Sequence, residues 1–101
     1  MIQEMKMVET QMQVALSGNI YLEEVKEIKE TFTSLINQGQ KCFLIDLSQV
    51  DYIDSAGLGA LVYIQKRTLK NGGRIKIKGL QGIVKELFEL TRLTKVFEIQ
   101  Q

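Results

Sequence analysis

The chain has 101 residues, 45% of them apolar and 25% charged, which is the composition of one ordinary globular domain. The 13 Lys and Arg against 12 Asp and Glu leave a net charge of +1, which argues against holding nucleic acid by neutralising many phosphates. With no His and a single cysteine, Cys42, a His-bearing triad, a His-ligated metal, a multi-cysteine zinc site and an internal disulfide are all excluded.

One unpaired Cys suits a reducing compartment, so the expected location is the cytoplasm. No apolar run approaches the roughly 18 residues of a membrane span, and the N-terminus carries no signal-peptide core, so no membrane insertion is expected. Without a linker or a repeat, residues 1–101 read as one domain.

Met5, Met7, Met12, Val14 and Leu16 alternate with polar residues on either side of a break at Glu9-Thr10. That pattern predicts an opening hairpin of two strands with half-buried faces. From about Ile20 to Gln38 the period changes to three and four. Leu22, Val25, Ile28, Phe32, Leu35 and Ile36 share a stripe, Glu and Lys fill the opposite face, and Gly39 suits a left-handed stop. The apolar run Cys42 to Leu47 is too short for a helix and predicts a central strand buried on both faces, with Cys42 as a small core hydrophobe.

Ser48 to Asp54 reads as a polar connection, followed by a second helix from about Ser55 to Lys70 that ends at Asn71-Gly72-Gly73. Arg74 to Lys78 alternates as a strand with one wet, basic face, and Gly79 breaks it. A third helix buries Ile83, Val84, Leu87 and Phe88, and Val96 to Ile99 forms a closing strand. The predicted order is β-β-α-β-α-β-α-β, an α/β domain with a mixed sheet and packed helices, its strand-helix-strand units giving parallel neighbours.

The stretch Asp51 to Gly59 breaks local rules. Asp54 or Ser55 caps the second helix by accepting a bond from a first-turn amide. Capping alone leaves Gly57 and Gly59 unexplained, since each costs roughly 0.8–1 kcal/mol relative to Ala inside a helix. Bare backbone in an opening turn suits close approach, so Ser55 reads as an exposed hydroxyl in a surround of Ala56, Gly57 and Gly59 that a partner could cover.

Leu44-Ile45-Asp46-Leu47-Ser48 together with Asp54-Ser55-Ala56-Gly57-Leu58-Gly59-Ala60-Leu61 resembles the central signature of the anti-sigma factor antagonists, the bacterial STAS-domain family. The likeness continues through Asn71-Gly72-Gly73, Val84 to Leu90 and Leu93 to Phe97, nearly the whole chain. The resemblance implies a non-enzymatic regulator with Ser55 as phosphoacceptor. It implies an anti-sigma factor with serine kinase activity, bound when Ser55 is free and released when it is phosphorylated, and a serine phosphatase that resets it. ATP and its metal would belong to the kinase, so no cofactor is implied. The partner-facing residues would be Asp54, Ala56, Gly57, Leu58 and Gly59, joined by Asn19 and Tyr21.

Two departures from the family pattern stand out. Gly18-Asn19-Ile20-Tyr21 lies where the family has Gly and a short acidic stretch ending in Asp, and Tyr21 takes that Asp's place. The sequence also stops just after its last strand, where most members add a helix. The altered position motivates a second reading, a non-switching STAS scaffold subunit of a sensory or lipid-transport complex.

Other signals are weaker. Gly57-Leu58-Gly59 fails as a dinucleotide fingerprint because Val62 stands where the third glycine is needed. Asp46, Asp51 and Asp54 read as capping residues and not as a metal cluster. Without a His or a Ser-x-x-Lys pair, Ser55 has no base that would make it a nucleophile. Tyr52, Tyr63, Phe32, Phe43 and Phe88 read as core or rim packing.

Overall fold

The computed structural model describes residues 2–100. The chain opens with a hairpin of β1 (Ile2–Val8) and β2 (Gln11–Ile20), then alternates α1 (Leu22–Asn37), β3 (Cys42–Ile53), α2 (Ser55–Lys70), β4 (Arg74–Lys78) and α3 (Gly82–Leu90). A 3-10 turn (Leu93–Lys95) leads into β5 (Glu98–Ile99). The sheet has five strands in the order β1-β2-β3-β4-β5, with β1 antiparallel to β2 and the other neighbours parallel. The expected mixed α/β domain is what the chain forms.

Each helix links adjacent parallel strands, and the steps run in one direction across the sheet. Crossovers of one hand then place every helix on the same side. The core agrees, because Ile28 and Phe32 of α1, Leu61 and Ile64 of α2 and Val84 and Phe88 of α3 join one cluster with Val14, Leu16, Phe43, Ile45, Leu47, Ile75 and Ile77. Phe32 and Phe43 meet with ring centroids 5.2 Å apart, a distance at which tilted rings attract.

Among the described residues, the other side of the sheet carries no helix. Register puts Lys6, Gln13, Leu44, Lys76 and Glu98 in one row across it and Glu4, Ala15, Asp46 and Lys78 in the next. Leu44 is buried among these polar neighbours but stands apart from the core cluster, so β3 is central without being sandwiched between two apolar layers. Arg74 and Lys76 both reach Glu98, at 3.2 and 3.4 Å, in exposed pairs of the kind that contribute little to stability. Cys42 is half-buried at the start of its strand and is not a core residue.

The first two helices keep their expected places. Gly39, at a φ of 94°, ends α1, and α2 begins and ends at Ser55 and Lys70 as the sequence indicates. Four local expectations change. Leu22 and Ile83 are exposed and leave their helical stripes, β1 is exposed along most of its length, and the closing strand is shortened by the turn at 93–95.

The largest difference is that Ser48 to Asp54 is not a connection, because β3 runs on to Ile53. Compared with β2, β3 carries one extra residue between Asp46 and Gln49 and another between Val50 and Tyr52. Asp46 steadies the first irregularity by accepting the Ser48 amide at 2.9 Å. Each insertion shifts the alternation by one, so Leu47, Val50 and Ile53 all point into the core.

That extension can be tested in a pair of variants. Val50→Asp places an unpaired charge in the core and should cost about 4 kcal/mol or more by urea titration. Gln49→Asp, at an exposed neighbour, should stay within about 0.5 kcal/mol. Equal small effects would mean that 48–54 behaves as a solvated loop.

Candidate functional site

The C-terminal ends of β2 and β3 and the N-terminal end of α2 converge at one pole of the domain. The Asp54 amide donates to the Ile20 carbonyl at 3.0 Å, which ties the end of β3 to the end of β2. Asp54 is the N-cap of α2, in an extended conformation, and its carboxylate accepts the Gly57 amide at 2.8 Å. The Leu58 amide donates to the Asp54 carbonyl at 2.9 Å and begins the helical ladder. The sequence left capping open between Asp54 and Ser55, and the structure assigns it to Asp54. Ser55 is then free of that duty. It is the first helical residue and is exposed.

The two glycines do different things. A Cβ on Gly57 would lie 2.7 Å from Ile53 Cγ1, 2.9 Å from Ile20 Cγ2 and 3.0 Å from the Ile20 carbonyl oxygen. Gly57 is buried, so its missing side chain serves the seating of α2 on the ends of the strands. Gly59 is exposed, and a Cβ there would meet nothing within 4 Å. Leu58 belongs to the core cluster. Of the expected partner-facing set, Gly57 and Leu58 therefore face inward. Asn19, Tyr21, Ser55 and Gly59 are exposed, and Asp54 and Ala56 are half-buried.

Tyr21 is the N-cap of α1, 40% exposed, and its amide donates to the Glu24 carboxylate at 2.7 Å. Its ring lies 6.0 Å from that of Tyr52, itself 39% exposed, in a tilted pair. This aromatic pair has no counterpart in the sequence reading. Tyr52 stands opposite Asn19 because of the second irregularity in β3, and no local signal announced it.

The pole carries the carboxylates of Asp51 and Asp54, with the positive end of the α2 dipole beneath Ser55. Among the described residues, no group of three or more Cys, Asp or Glu side chains is arranged to hold a metal ion. Chemically, the pole presents an exposed hydroxyl at Ser55, the small residue Gly59 and the Tyr21–Tyr52 pair.

The glycines separate cleanly by experiment. Gly57→Ala should destabilise the fold by about 1–3 kcal/mol through overpacking. Gly59→Ala should be neutral or stabilise it by up to about 1 kcal/mol, since helical glycine costs that much relative to Ala. Thermal melts of both variants measure the difference.

Comparison with known proteins identifies the family of the domain. The STAS domain model matches residues 3–101. The anti-sigma-B factor antagonist of Bacillus subtilis (strain 168) is 32% identical over 96 residues, spanning 95% of this chain and 87% of the relative. A Thermotoga maritima crystal structure, of a candidate anti-sigma factor antagonist, superposes with a TM-score of 0.90 at 25% identity, covering 97% of this chain and 85% of that one. The Bacillus cell-fate determinant SpoIIAA in its phosphorylated form shares the fold, with a TM-score of 0.78 at 16% identity, over 100% of this chain and 92% of that one. The chain belongs to the STAS domain family, and the Bacillus subtilis relative within it is an anti-sigma-B factor antagonist.

Proposed function

We propose that this protein is a cytoplasmic anti-sigma factor antagonist switched by phosphorylation of Ser55. Unphosphorylated, it binds an anti-sigma factor with serine kinase activity and so frees that factor's sigma factor. Phosphorylated, it lets go, and a serine phosphatase restores it. The observation that carries this reading is the exposed Ser55 hydroxyl at the first turn of α2, relieved of capping by Asp54 and bordered by the bare backbone of Gly59. The relatives' names supply the partner class.

The chain itself acts as substrate and ligand, not as catalyst. The kinase brings ATP, its metal and the base that takes the Ser55 proton, and the phosphoryl group passes from ATP to Oγ. A phosphate adds about −1.5 to −2 charges at neutral pH. The α2 dipole favours that charge, while Asp51 and Asp54 oppose it. These terms offset one another locally, so the switch needs no refolding. A surface that was neutral hydroxyl and small residues becomes strongly anionic, and a partner surface fitted to the first form is repelled by the second.

Substitution at Ser55 tests the switch. Ser55→Ala should bind the purified kinase as the parent does and take no label from ATP. Ser55→Asp should bind at least about tenfold more weakly, a difference of about 1.4 kcal/mol. Calorimetry with the kinase, identified by capture on parent bait and confirmed by its labelling of the parent at Ser55, measures both. Equal binding by all three forms would remove the switch. Stoichiometric recovery of sensory or transporter subunits by parent and Ser55→Asp alike would favour the scaffold reading.

A further inference from the structure

The outer edge of β1 has no strand beside it among the described residues, and it displays apolar side chains beside its charges. Met5 and Met7, on the helix side of the sheet, are 46% and 50% exposed, and Val8 is also exposed on the opposite side. Natural edge strands are kept short or guarded by charge, because their unpaired amides and carbonyls invite another strand. The other edge obeys that rule, since β5 has only 2 residues. β1 has 7, with a register shift between Ile2 and Glu4 and then Glu4 to Val8 paired with β2 without interruption. Its two charges, Glu4 and Lys6, are of opposite sign and so can attract as well as guard.

We infer that β1 is a self-association surface, pairing antiparallel with β1 of a second copy so that two sheets become one. Charge complementarity argues for a second copy as the occupant. In an antiparallel pair related by a twofold axis, residues facing each other lie on the same side of the sheet, so the axis passes through a residue of β1. With the axis at Met5, Glu4 faces Lys6 of the second copy, and the same pair recurs on the other side of the axis. The two Met5 side chains then meet on the helix side, flanked by Met7. With the axis at Lys6, two ammonium groups stand directly opposed and Glu4 faces an apolar Val8, which like-charge repulsion disfavours. The sequence Glu4-Met5-Lys6 is therefore self-complementary in one register.

The geometry leaves the Ser55 pole clear. β1 runs beside Gln11 to Leu16, whereas the pole is built on the far end of β2, near Asn19 and Ile20. A dimer of this kind presents two Ser55 poles.

Charge reversal tests the register. Sedimentation of the parent across the micromolar to millimolar range should give twice the 11.5 kDa chain mass. Glu4→Lys and Lys6→Glu should each weaken association by at least about tenfold, and the double exchange should restore it. Both sites are exposed, so folding is checked by circular dichroism alone. In a Cys42→Ser background, Met5→Cys should form an interchain disulfide under mild oxidation, because facing Cα atoms at about 4.5–5.5 Å lie within disulfide reach. Met7→Cys should not. A parent that stays monomeric, single reversals that dimerise as the parent does, or a disulfide at position 7 instead of 5 would overturn the inference.

Discussion

The contact on which the site depends is the one made by an absent side chain. At Gly57 the first turn of α2 comes so close to Ile20 and Ile53 that a single methyl would sit within 3.0 Å of both strands. That approach seats the helix over the strand ends and lets the Asp54 amide reach the Ile20 carbonyl. The Asp54 carboxylate then turns to the Gly57 amide, and Ser55 is left outward at the helix start. The position of the Ser55 hydroxyl thus follows from packing beneath it. Nothing on the surface needs to hold it there.

Much of this was legible because the signals were local. The stop at Asn71-Gly72-Gly73 and a cap at Asp54 or Ser55 bracket α2, and the period of Ile28, Phe32 and Ile36 marks the inner face of α1. What escaped was non-local. Leu47, Val50 and Ile53 are spaced by three, a period that belongs to neither a regular strand nor this loop-like composition. Only the two extra residues relative to β2 make them a strand edge facing the core. The same insertions carry Tyr52 to Asn19 and so bring it to Tyr21, which is why the aromatic pair beside the site was invisible in the sequence. The glycines were recognised as meaningful, but one pattern covered two roles. Burial assigns Gly57 to the interior and Gly59 to the surface.

The Tyr21–Tyr52 pair bears on how a partner would be recognised. Where the family pattern has a carboxylate, this chain presents a phenol ring stacked at an angle on a second phenol. Exchanging an anion for an aromatic pair removes a charge that would repel a phosphate and adds rigid area at low entropic cost. Tyrosines of this kind commonly carry a large share of interface energy. The remaining charges, Asp51 and Asp54, lie on the β3–α2 side of the pole. On the proposed function, recognition would rest more on shape and apolar contact next to α1, and on charge next to Ser55.

A one-sided helix layer makes this division of labour possible. Because all three helices cover the same face, the domain keeps a polar sheet face, one long open edge and one loaded pole, each facing a different direction. A phosphate at the pole would change the charge seen by whatever covers α2, but Glu4 of the β1 edge stands opposite Ala15, about five residues of strand, or roughly 17 Å, from Ile20 at the pole. Beyond a Debye length of about 8 Å at physiological salt, exposed charges are largely screened. In the proposed dimer, self-association through β1 and release of a partner at Ser55 would then be electrostatically independent, so that a paired chain would still be switched at its own pole.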